Sequence, residues 1–190
     1  MIFNSVVIAK VNESNVINIK DISTNEYLHY VESFNFTDEE IINLYQIDAE
    51  NFGRKIKLPE ELANRTGIYY VSPTFKSFPP NPKEGDKHRI SYDVNFQRAM
   101  IEAGIISGGV ALTADVIATL SPDLVIKAIA TVARLGATGV GIASQIYYSW
   151  KSDGFRYTGV RGEKVFEYRV TNDGYLDWQY NHHESWESFY

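Results

Sequence analysis

The stretch on which the reading of this chain turns runs from Ala99 to Trp150, AMIEAGIISGGVALTADVIATLSPDLVIKAIATVARLGATGVGIASQIYYSW. Between Ala103 and Pro122 its one charged residue is Asp115, and between Ala128 and Trp150 it is Arg134. Each part is as long as a helix that crosses a bilayer core of about 30 Å, which takes roughly 20 predominantly apolar residues. Ser121-Pro122-Asp123 divides them. Proline suits a first helical position, where its missing N–H costs nothing, and Ser121 stands where a capping hydroxyl is wanted. The expectation is an apolar two-helix hairpin over about 99–150. Ile105, Ile106, Val110, Leu112, Val116 and Ile117 point all round the first helix, and Val125, Ile126, Ile129, Val132 and Leu135 nearly so in the second. A helix that is apolar on every side sits deep in protein or in lipid.

The few charges constrain this hairpin. At a rise of about 1.5 Å per residue, Asp115 and Lys127 both lie roughly 8 to 9 Å from the turn of an antiparallel pair and are expected to bond to each other. Arg134 lies deeper with no partner at its own level, so it either argues against a lipid span or lines a pore. Lys83, Lys87, His88, Arg89 and Arg98 precede the hairpin, Lys151 and Arg156 follow it, and Asp123 marks its tip. The positive-inside bias would keep both ends on one face and send the acidic tip across, with Tyr147, Tyr148 and Trp150 as interface anchors. Gly104 and Gly108 form a GxxxG and Ala137 and Gly141 repeat the spacing, which permits close helix packing and a homo-oligomer. Small residues serve equally to pack a helix on a sheet. The rival reading is therefore a soluble binding or structural protein, a phage or assembly component, with the hairpin as buried core or oligomer interface.

Around the hairpin the chain has strand character. Val6 to Ile19 and Tyr27 to Val31 are β-favouring runs, so residues 2–36 are expected to form short strands. Thr37-Asp38-Glu39-Glu40 matches a capping box and opens a helix to about Asp48, Pro59 opens a shorter one, and Ile68 to Val71 reads as a strand. Residues 72–90, with Pro73, Pro79, Pro80, Pro82 and Gly85, read as a Pro-rich loop. Phe155 to Val160, Val165 to Val170 and Tyr175 to Tyr180 are alternating runs, the first two separated by Arg161-Gly162-Glu163-Lys164 and the last preceded by an Asn172-Asp173-Gly174 hairpin turn. The expected fold class is α+β, a single domain over 1–190 with antiparallel strands at both ends of the chain packed around the central hairpin.

Composition excludes several functions. The absence of cysteine removes disulfides, thiol nucleophiles and thiolate metal sites. A net charge of -6 without a basic cluster argues against nucleic acid. The N-terminus lacks the features of a signal peptide, so synthesis in the cytoplasm and, for any export, a signal-independent route are expected. Gly139-Val140-Gly141 lacks the last glycine of a dinucleotide loop, Ser144 standing there, and neither a phosphate loop nor a nucleophile elbow occurs. His182-His183-Glu184 would point to opposite faces of a strand. No catalytic residue, metal or cofactor is expected.

The hydropathy of residues 99–150 resembles that of pore-forming bacteriocins and secreted antibacterial effectors, which carry an apolar helical hairpin within a water-soluble fold. The resemblance implies a membrane-active toxin or effector acting on a lipid bilayer, with a neutralising, immunity-type protein as a partner. It carries no individual residue across.

Overall fold

The computed structural model describes residues 25–53, 55–74, 78–170, 174–183 and 186–190, with the backbone alone at 25–27 and 179–183. Helices and antiparallel sheets are mixed along the chain, which is the α+β class expected. The strands assigned to the first 24 residues, the Asn172-Asp173-Gly174 turn and part of the His182-His183-Glu184 motif lie outside the described residues.

Helix α1 (Asn25–Glu32) replaces the strand expected at Tyr27 to Val31. Leu28 and Val31, one helical turn apart, are both fully buried, so a single stripe facing the core overrides the β-favouring composition. Helix α2 (Asp38–Phe52) starts at the capping box read from the sequence: the Thr37 side chain accepts from the Glu40 amide, and the Thr37 amide donates to Glu40 Oε2 at 2.7 Å. Strand β1 (Ile56–Lys57) pairs antiparallel with β2 (Tyr70–Val71) across helix α3 (Glu60–Thr66), which Pro59 precedes.

Strand β3 (Lys87–Asn95) begins inside the stretch read as a Pro-rich loop, which therefore ends at Asp86. It pairs along its length with β4 (Gly159–Val170), from Lys87 opposite Glu167 to Asn95 opposite Gly159. Strand β4 is continuous where two strands and a turn were expected at 161–164, because β3 on one side and its partners on the other satisfy its backbone. Strand β5 (Leu176–His183) and the short β6 (Glu187–Phe189) pair in succession along its second edge. Gly159 lies where β3, β4 and β6 converge, and a Cβ there would overlap Val94 O and the Phe189 ring.

The segment 99–150 departs most from expectation. It forms α4 (Phe96–Glu102), an irregular stretch, α5 (Ala114–Ala118), α6 (Pro122–Val132), a 3₁₀ turn (Ala137–Gly139) and α7 (Val140–Ser152). The first expected span is interrupted by Gly104, Gly108 and Gly109, each less favourable in a helix than alanine by about 1 kcal/mol, and Gly104 takes φ 69°. The helical pair is thus α6 with α7, within Pro122–Ser152. Pro122 occupies the first turn of α6 as read, although Ser121 makes no side-chain capping bond. Among the described residues no helix is long and apolar enough to cross a membrane.

Both paired helices are core. In α7, Ala143, Ile146, Tyr147 and Trp150 are buried at the i, i+3, i+4, i+7 spacing of one helical face, and in α6 Val125, Ile126 and Ile129 are buried likewise. Trp150 stacks on Phe96 with ring centroids 3.9 Å apart, and Phe155 meets it edge-on at 5.1 Å. A second aromatic group lies at the other end of β4, where Phe166 meets Phe52 at 5.2 Å and Phe78 at 5.1 Å, and Phe78 stacks on Trp178 at 5.0 Å.

Candidate functional site

Three features adjoin one another around α6. The first is a surface. Residues 103–124 run over the outside of the molecule with Asp115 and Asp123 as their only charges. Gly104, Gly108, Gly109, Val110, Ala111 and Ala118 are exposed, Ile105, Ile106, Leu112, Val116 and Leu120 are half-buried, and Ile117 alone is fully buried. Gln97 ties the irregular part down, its Nε2 donating to Val110 O at 2.7 Å and its Oε1 accepting from the Leu112 amide at 2.6 Å.

The second is a buried polar clamp on the connection between α6 and α7. Asp48 of α2 is fully buried and accepts from the Thr138 amide at 3.0 Å and the Thr138 hydroxyl at 2.7 Å. Lys164, on the inner face of β4, donates to Arg134 O at 2.9 Å, and Asn51 Nδ2 donates to the same oxygen at 3.1 Å. The Arg134 guanidinium bonds to Glu50, whose other carboxylate oxygen accepts from the Thr74 hydroxyl at 2.8 Å. Between these contacts the backbone is constrained: Arg134 sits at φ 51°, and Gly136 at φ 73° leaves no room for a Cβ, which would overlap the Asp48 carboxylate. Burial pushes the Asp48 carboxyl up, against the two Thr138 hydrogen bonds and the charge of Lys164, and pushes the Lys164 amine down, against the charge of Asp48. The charge of each offsets part of the burial cost of the other.

The third is a cleft of about 540 Å³ between α2, the start of the exposed segment and α6. Ile105, Leu124, Ala128 and Val132 form its apolar part, while Glu40, Glu102, Lys127 and Arg134 bring charge to its walls. Lys127 is committed within the fold: its Nζ donates to Asn35 O at 2.5 Å and to Glu40 Oε2 at 2.9 Å. Burial raises the Glu40 carboxyl, but the Thr37 amide and Lys127 outweigh it and hold it below the usual carboxylate range. Glu102 is bonded to Arg98 at 2.5 Å.

The residues singled out from the sequence therefore scatter. Lys127 pairs with Glu40, while Asp115 is exposed on α5, so the cross-hairpin pair does not form. The acidic tip is docked, Asp123 accepting from Asn35 Nδ2 at 2.5 Å. Gly104 and Gly108 face open space, Ala137 is buried in the 3₁₀ turn, and Gly141 abuts the Tyr30 hydroxyl of α1, so the small residues do not bring the two helices together. Of the three aromatic anchors Tyr148 alone is exposed; Tyr147 and Trp150 are core. Arg134, expected without a partner, meets Glu50. Sequence reasoning passed over Asp48, Glu50, Asn51 and Lys164. The available signal was the parity of β4, where Val160, Gly162, Lys164 and Phe166 share a face, which puts a lysine between two core residues.

Among the described residues no group of three or more His, Asp or Glu is arranged to hold a metal ion. The chain matches no protein-family model, no curated protein and no solved structure with which it was compared.

Proposed function

We propose that this chain is a membrane-active protein, a membrane-inserting or pore-forming toxin or antibacterial effector, that meets the bilayer through residues 103–120. The single observation that carries the reading is that this eighteen-residue run with one charge lies on the surface. Exposed apolar surface of this kind marks sites of contact with membranes or other proteins. Val110 is exposed and Val116 half-buried, while Ile105, Ile106, Leu112 and Leu120 pack half-buried against the core and turn outward on contact with lipid; Tyr148 is an aromatic residue at the surface of the paired helices. Insertion of the hairpin itself is a later step that has to break the clamp at 134–138, since α6 and α7 are core in this conformation. A homo-oligomer in the bilayer and an immunity-type protein that covers the apolar run complete the proposal.

The experiment is dye release from vesicles rich in phosphatidylglycerol, for the parent protein and for Val110→Glu, a substitution at a residue 40% exposed. The expected result is leakage that the added carboxylate strongly reduces, because a charge on the contacting face must be desolvated. No leakage at any pH or lipid composition would sink the proposal. A second reading, a binding or structural protein with α6 and α7 as core or oligomer interface, draws support from the burial of both helices. It calls for intact vesicles and a defined oligomer by light scattering.

A further inference from the structure

We infer that the cleft between α2, residues 102–105 and α6 is a binding site for a single-chain anionic amphiphile, with its tail along Ile105, Leu124, Ala128 and Val132 and its head group on the Arg134 guanidinium. The inference goes beyond bilayer permeabilisation, since such a cleft can hold one amphiphile whether or not the protein perforates a membrane.

The volume of about 540 Å³ is within the range of sites that enclose small ligands. Its lining joins the two chemistries of an amphiphile, apolar Ile105, Leu124, Ala128 and Val132 beside the ionic Glu40, Glu102, Lys127 and Arg134. The ionic groups are unequal. Glu40 is neutralised by Lys127 and Glu102 by Arg98, so neither carboxylate presents an uncompensated negative charge to a ligand. Lys127, only 16% exposed in its side chain, is held by Glu40 and Asn35 O. Arg134 differs from all of these. Its side chain is 56% exposed, one terminal nitrogen bonds to Glu50, and its remaining donors have no protein acceptor among the described residues.

Arg134 is also pre-positioned. A non-glycine residue at φ 51° is costly, and it persists where the surroundings over-determine it. Here Lys164 and Asn51 both hold its carbonyl and Glu50 fixes one side of its guanidinium plane. Three residues of the fold thus work to present one arginine fork beside an apolar cleft. A planar fork with open donors suits a carboxylate or phosphate, and the partner already present on one edge lowers the entropy lost on binding.

The probe is dodecanoate below its micelle concentration, titrated into the full chain by calorimetry. Acetate supplies the head without the tail, and dodecyltrimethylammonium the tail with the opposite charge. Saturable one-to-one binding of dodecanoate alone is expected. Thr131→Trp, at an exposed residue that lines the cleft, should fill it and abolish binding while the circular dichroism is unchanged. Arg134→Gln should weaken it about tenfold or more, the effect of losing a charge-assisted bond. Equal binding of dodecyltrimethylammonium, indifference to Thr131→Trp, or no saturable binding would each overturn the assignment. Neutral vesicles doped with single-chain lysophosphatidylglycerol locate the ligand's source: capture that Thr131→Trp abolishes points to a bilayer lipid, and dodecanoate binding without capture to a free amphiphile, both upholding the site.

Discussion

Residues 103–120, with one charge, and residues 122–152, with Asp123, Lys127, Arg134 and Lys151, are both rich in Ile, Val, Ala and Gly, yet the fold treats them oppositely. The second stretch forms α6 and α7, packs them on each other and buries Val125, Ile126, Ile129, Ile146 and Trp150. The first forms one five-residue helix and a loop that lies outside. Hydrophobicity does not separate them. Three glycines within six residues prevent the first from propagating a helix, and without a helical face it has no stripe to bury. The second has an outward side of modest contrast, where Thr131 and Gln145 are exposed beside Leu124 and Tyr148, and this suffices to orient it.

The difference can be attacked from its strongest point downward. Asp48→Ala should be the most damaging change, costing about 3–5 kcal/mol, because it leaves the buried Thr138 amide and hydroxyl without their acceptor and removes the charge that offsets the burial of Lys164. Urea denaturation measures it, and a loss near zero would show that the clamp contributes nothing to holding α6 and α7. Ile129→Ala, in the middle of the buried face of α6, should cost about 2–5 kcal/mol by the same assay.

The pH dependence of the clamp is smaller and has a definite sign. Because the Asp48 carboxyl is raised from 3.8 to about 7, the stability linked to it is fully present below 3.8 and is lost as pH rises through about 7. The depressed Lys164 amine works the other way, its contribution being present above 10.5 and lost as pH falls through about 8. The parent's stability relative to Asp48→Asn should therefore fall from pH 4 to pH 7. A rise over that interval would show the carboxylate to be stabilised by its partners more than it is penalised by burial. The smallest effect is expected at Gly108→Leu, where the added side chain meets open space: a change within about 0.5 kcal/mol. A large loss there would restore the close helix packing that the GxxxG spacing implied. Amide exchange in native protein should likewise be fast at 104–112 and slow in α6 and α7.

Local signals were legible where they depend on neighbours in the chain. The Thr37–Glu40 capping box, the proline opening α6 and the antiparallel strand character of the C-terminal part all stand as read. What failed depended on partners far away. The strand expected at Tyr27 to Val31 became α1 because Leu28 and Val31 found a core to face. The turn expected at 161–164 is strand because β3, β5 and β6 pair with it, and the burial of Lys164 is explained by Arg134 O, thirty residues away, and by the charge of Asp48.

The sequence by itself determined the fold class, the absence of thiol chemistry and the concentration of apolar residues between Ala103 and Trp150, since each follows from composition and short-range pattern. It also singled out Arg134 as the awkward residue of the apolar run, one that either argues against a lipid span or lines a pore. Tertiary structure decided which apolar half became core and which became surface. It also decided that Arg134 would meet Glu50 on one side and a cleft on the other. The physical reason is that burial and ion pairing are settled between elements, here α2, α6 and β4, whose meeting no local periodicity encodes.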